Sequence, residues 1–146
     1  MVRKYTLYCA WLLSCIGVLV SLYFSEVLHH PPCNLCWYQR IALFPLALVL
    51  GIATYGTDLK VVRYALPLAI MGFCFALYQV MLQEIPGWNP LELCGAGPSC
   101  SEKIDIGLGP ISIPILSTSN FLLISLLLIA PWYSTTKEAL QFPWKR

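Results

Sequence analysis

Charge is what this sequence has least of. Nine Lys and Arg and seven Asp and Glu leave only 11% of its 146 residues charged. A soluble domain carries about 25%. With 58% hydrophobic residues and a mean hydropathy of +0.71, the chain is an integral membrane protein, long enough for one small bundle and no second domain. Also missing are a G-x-G-x-x-G fingerprint, a P-loop and a metal-ligand cluster, which removes the common nucleotide-cofactor chemistries. Covalent haem is excluded too, because Trp37 stands where C-x-x-C-H needs a histidine. No nucleic-acid partner is expected.

The charges that do occur leave four gaps, at residues 5–25, 41–57, 64–83 and 106–136. A helix crosses a bilayer in roughly 20 apolar residues. The last gap is longer than that, and Pro110 and Pro114 place its first part outside the helix. The pattern predicts an all-α bundle of four transmembrane helices, near 5–25, 35–56, 62–83 and 114–133. Lys and Arg favour the cytoplasmic side. Arg3, Lys4, Lys60, Arg63, Lys137, Lys145 and Arg146 fall on one side, and only Arg40 and Lys103 on the other. Both termini are therefore expected in the cytoplasm, and segments 26–35 and 84–113 outside. The first span reads as retained rather than cleaved, since bulky Leu22, Tyr23 and Phe24 sit where a cleavage site needs small residues.

Against this background the seven cysteines form two populations. Cys9, Cys15 and Cys74 lie within spans and read as small, inert core residues. Cys33, Cys36, Cys94 and Cys100 fall on the outer side as two close pairs, in a compartment that permits disulfides. Structural staples and a four-cysteine zinc site are alternatives to a redox role. A C-x-x-C ring closes too few residues to constrain the unfolded chain much. The five residues between Cys94 and Cys100 exceed the two to four usual in a zinc site.

The stretch "PPCNLCWYQR" at 31–40 carries the chemistry. Pro31 and Pro32 suit the start of a helix and not its interior. Both sulfurs are thus expected at the positive N-terminal end of the second span, where a thiolate is favoured. Arg40 follows Cys36 by four residues and shares its face, as does Cys33 three residues before Cys36. A guanidinium on the side where positive charge is disfavoured needs something specific to hold it. A dithiol level with the headgroups points to a lipid-soluble electron acceptor, of which quinone is the common one. Arg40 would stabilise negative charge developing on a quinone oxygen. The Gly- and Pro-rich segment 84–113 would present Cys94 and Cys100 to an incoming protein, completing a two-stage relay of thiol–disulfide exchange.

These residues resemble the DsbB-type membrane thiol–quinone oxidoreductases, and in particular their short-loop, BdbC-like branch. The resemblance covers about residues 5–133 and is carried by "SLYFSE", "CNLCWYQR", "LQEIPGW" and "CGAGPSC". The order, C-x-x-C first and loop pair second, sets it apart from vitamin K epoxide reductases, where the order is reversed. It implies a bacterial cytoplasmic-membrane enzyme with its redox sites on the outer face. Cys94 would form a mixed disulfide with a reduced thioredoxin-fold oxidase (DsbA- or BdbD-like), and Cys100 would pass electrons to Cys33. Cys36, Arg40 and Gln79 would contact a quinone of the ubiquinone or menaquinone type. Gln79 is a departure: members often carry histidine there, and glutamine can hydrogen-bond a quinone oxygen but cannot exchange a proton. His29 and His30 read as exposed loop residues.

Overall fold

Hydrocarbon offers no water to a polar backbone, so a chain crossing it must satisfy its own N–H and C=O groups, and a helix does so within one segment. The computed structural model describes residues 2–29, 31–56, 58–85 and 112–141. Among these it has four long helices, α1 (Val2–Leu22), α2 (Asn34–Gly56), α3 (Val62–Glu84) and α4 (Ile113–Gln141). The stretches long and apolar enough to cross a membrane are Lys4–Val27, Asn34–Gly56, Leu59–Glu84 and Ile113–Tyr133. The shortest has 21 residues, and at about 1.5 Å per residue it covers a hydrocarbon core of roughly 30 Å. This is the all-α, four-helix membrane architecture expected.

Each helix packs on two neighbours, α1 and α3 both lying against α2 and α4. Successive helices run antiparallel, so the C-terminal ends of α1 and α3 meet the N-terminal ends of α2 and α4 at one end of the bundle. The core is built from small and large residues together. Ala10, Ala42, Ala65, Ala69 and Ala76 let backbones approach, while Leu46, Leu50, Phe121, Ile124 and Leu128 fill the space between. Gly72 shows how close the approach is: a Cβ there would lie 2.3 Å from the ring of Phe121. Outward, Leu19, Leu48, Ile52 and Tyr55 are exposed, as lipid-facing side chains must be.

The span cysteines need correcting. Cys9 and Cys74 are exposed on the outer faces of their helices and so are lipid-facing positions rather than core, while Cys15 is half-buried. Lipid and core are equally apolar, and a small apolar side chain suits either.

Candidate functional site

Cys33 lies just before α2 and acts as its cap. Its carbonyl accepts the Trp37 N–H at 3.1 Å, and its sulfur accepts the Cys36 N–H at 3.4 Å. A sulfur here satisfies one of the orphan donors that Ser or Asp oxygens usually take. The cap folds Cys33 back over the first turn, so the two sulfurs stand 2.8 Å apart. Cys33 is only 6% exposed and packs with Leu35 and Leu82, with Phe75 and Tyr78 at the edge of that cluster. Its hydrogen bond with Cys36, together with burial, holds the Cys33 thiol well above the ordinary cysteine range. Cys36 is half-buried and turns toward a cavity.

The amide of Gln79 faces both sulfurs. Its Nε2 donates toward Cys33 Sγ at 3.4 Å and Cys36 Sγ at 3.5 Å. Its Oε1 accepts from Gln39 Nε2 at 2.7 Å, and Gln39 Oε1 in turn accepts from Ser117 Oγ at 2.5 Å. Gln39 and Gln79 are 7% and 4% exposed. Buried amides are costly unless satisfied, and this chain satisfies them by tying α4, α2 and α3 to the dithiol.

Arg40, four residues after Cys36, is held by the end of α1. Nε donates to Ser21 Oγ at 2.8 Å. Nη2 donates to the Ser21 carbonyl at 2.6 Å and also to Ser25 Oγ. Its guanidinium carbon lies 5.6 Å from the Trp37 ring centroid. The last turn of this span, Tyr23–Val27, is π-helical, a widening frequent at functional sites. These partners are the specific hold that a cation at this level requires. None of them is charged, so the guanidinium keeps its field.

Sulfur and guanidinium meet at a cavity of about 310 Å³. Its walls are mainly apolar, with Ile16, Val20, Leu43 and Phe121 among them, and Cys36, Arg40 and Gln79 all line it. Of the residues singled out from sequence, the structure thus brings together Cys33, Cys36, Arg40 and Gln79. Cys94 and Cys100 lie outside the described residues, as does His30; His29 is exposed, with a φ of 52°. Sequence reasoning missed Ser21, Ser25, Gln39 and Ser117. The first three stand inside stretches already singled out, "SLYFSE" and "CNLCWYQR", but nothing in their spacing reveals their partners.

Four membrane-length helices gathered around a close dithiol, with a fixed cation and an apolar cavity beside it, define a membrane thiol-redox protein. The chain belongs to the family described as "Disulfide bond formation protein DsbB", which matches residues 3–130. That family is one of thiol:quinone oxidoreductases, and this chain is an enzyme of that class. It is 55% identical over 129 residues to a "Probable disulfide formation protein" of Chlamydia muridarum (strain MoPn / Nigg), covering 88% of this chain and 93% of the relative. A "Probable disulfide formation protein" of Coxiella burnetii (strain CbuK_Q154) is 48% identical over 139 residues, 94% and 95% of the two chains. "Probable disulfide formation protein C 2" of Bacillus cereus (strain ATCC 10987 / NRS 248) is 42% identical over 137 residues, 94% and 98%. No solved structure matches the chain.

Proposed function

We propose that this enzyme reoxidises an extracytoplasmic thioredoxin-fold thiol oxidase and delivers the electrons, through Cys94/Cys100 and then Cys33/Cys36, to a membrane quinone. The observation that carries this reading is Cys36 opening with Arg40 onto one apolar cavity between the helices.

The residues present fit a quinone. Ligand pockets start at about 300 Å³, the size of this cavity. Apolar side chains would hold a flat ring and its isoprenoid tail, and the Arg40 guanidinium would polarise a ring oxygen beside Cys36. A bound quinone would supply the acceptor for two electrons and two protons. The remaining chemistry belongs to the cysteines. A thiolate of the partner attacks Cys94 of the oxidised loop pair, and Cys100 leaves with the bonding electrons. The second partner thiolate then closes the partner's disulfide and frees Cys94. Cys100 attacks Cys33, the Cys33–Cys36 bond breaks, and the electron pair leaves on Cys36. Cys94 resolves the resulting Cys100–Cys33 bond, which regenerates the loop disulfide and leaves the dithiol reduced.

Depth along the bundle supports the outward placement. The dithiol sits at the N-terminal end of α2, opposite the end that carries Lys60 and Arg63, so the positive-inside bias favours sulfurs at the outer face of a bacterial cytoplasmic membrane. The short Cys94–Cys100 spacing supports membership of the BdbC-like branch.

The test mixes purified protein with a reduced thioredoxin-fold oxidase and a soluble quinone and follows quinol by absorbance. Quinol should form in proportion to partner disulfide. No quinol, or quinol formation indifferent to loss of Cys33 and Cys36, would overturn the reading.

A further inference from the structure

The amide chain behind the dithiol has a direction. Ser117 donates to Gln39, Gln39 donates to Gln79, and Gln79 donates to the sulfurs. The NH2 of Gln79 is its nearer end to the sulfurs, at 3.4 and 3.5 Å, while its Oε1 takes the Gln39 NH2 at 2.7 Å and receives the Cys36 thiol only at 3.9 Å. Gln79 alone could face the pair either way, since its two ends have nearly the same shape but opposite polarity. Reversed by itself, it would aim a lone pair at the sulfurs and set its NH2 against the NH2 of Gln39, two donors face to face in a buried site.

We propose that Gln39 and Ser117 are positioning residues which keep the NH2 of Gln79, rather than its carbonyl, as the end closer to Cys33 and Cys36. The consequence is chemical. When an incoming thiolate attacks one sulfur, the S–S bond breaks and its electron pair leaves on the other as negative charge. An N–H aimed at that sulfur stabilises the charge, whereas a carbonyl oxygen repels it. A fixed amide therefore makes the disulfide a better acceptor and the reduced pair more nucleophilic. Gln39 touches neither sulfur in this arrangement and acts through Gln79.

The inference rests on Cys33 and Cys36 being a redox pair, and does not depend on which acceptor they serve. It is tested in the full-length chain with Cys9, Cys15, Cys74, Cys94 and Cys100 replaced, so that only Cys33 and Cys36 report. Two readouts are taken in detergent: the iodoacetamide alkylation rate of the reduced pair, and its midpoint potential against dithiol buffers. Gln39→Met removes the polarity signal at nearly constant shape and should slow alkylation about tenfold, the worth of one hydrogen bond to a charged group. It should also make the pair more reducing. Gln39→Glu, an acceptor where a donor was, should act more strongly in the same direction. Ser117→Ala, the mildest change, should give a smaller shift of the same sign and serves if the Gln39 variants fold poorly. In a Gln79→Met background, Gln39→Met should add nothing. Wild-type rates and potential in the variants, or a Gln39→Met effect that persists without Gln79, would overturn the proposal. A parent pair that never closes to a disulfide would instead refute the redox reading beneath it.

Discussion

Arg40 and Ser21 join α2 to the end of α1 through two contacts, Nε to Oγ at 2.8 Å and Nη2 to the main-chain carbonyl at 2.6 Å. This fork fixes the plane of the guanidinium as well as its position. A lysine ammonium is a single point donor on a flexible stem and reproduces neither. Arg40→Lys is therefore expected to raise the apparent quinone requirement, and Arg40→Ala to raise it further. A charge-assisted hydrogen bond is worth roughly 1.5–3 kcal/mol, on the order of ten- to a hundredfold in apparent affinity. Steady-state quinone titration checks this. Exchange between the partner and Cys94 should stay normal, because Arg40 takes no part in that step of the proposed relay; an Arg40→Ala enzyme with unaltered quinone dependence would leave Arg40 as an interface anchor.

The Ser21 and Ser25 contacts extend the same argument to the residues that hold Arg40. Replacing both by Ala should leave Arg40 in place but free its plane, giving a quinone requirement between those of wild type and Arg40→Lys. A double variant as impaired as Arg40→Ala would mean the serines do more than orient it.

On the proposed relay, loss of Cys94 or Cys100 should separate two activities. Cys94→Ser or Cys100→Ser should abolish oxidation of the protein partner while sparing slow oxidation of a small dithiol by Cys33/Cys36 and quinone. Parallel assays with partner and with dithiothreitol measure this. Equal loss of both would mean that the loop pair is structural.

Much of this architecture was legible because charge in a membrane chain is rare and each charge carries information. The gaps located the spans, and the offset from Cys36 to Arg40 put both on one face of α2. What stayed hidden is rotational. A soluble helix reveals its inner face by amphipathicity, but a helix between lipid and an apolar core is apolar all round. Cys9 and Cys74 could not be told from core residues for that reason. The Gln39–Gln79 and Ser117–Gln39 contacts join residues 40 and 78 apart in the chain and depend on the rotational phase of three helices at once. No spacing rule encodes that.

The three span cysteines lead to a simple expectation. Cys9, Cys15 and Cys74 should be replaceable together by Ala with turnover retained, because Cys9 and Cys74 are exposed on the outer faces and Cys15 is half-buried. Collapse of activity in a triple variant that accumulates and inserts normally would show that one of them has a role.

Two of the tightly packed glycines, Gly72 and Gly17, should fail in different ways. A Cβ at Gly72 would lie 2.3 Å from the Phe121 ring, and Phe121 is only 1% exposed, so the ring has nowhere to go. Gly72→Ala should overpack the α3–α4 contact and cost about 1–3 kcal/mol, visible as a lower Tm in detergent. At Gly17 the obstacle is softer. The nearest atom to its added Cβ is Asn120 Nδ2 at 2.5 Å, the far end of a side chain that can rotate, with a Leu43 methyl next at 3.2 Å. Gly17, Leu43 and Asn120 all line the cavity. Gly17→Ala should therefore leave Tm nearly unchanged while pushing Asn120 and Leu43 into the space beside Arg40. The expected signature is a raised KM for quinone with partner exchange untouched, and Gly17→Leu should strengthen it by filling more of the cavity. Thermal melts and quinone titrations on the three variants separate the outcomes. A Gly17→Leu enzyme with wild-type quinone KM would place the acceptor outside this cavity.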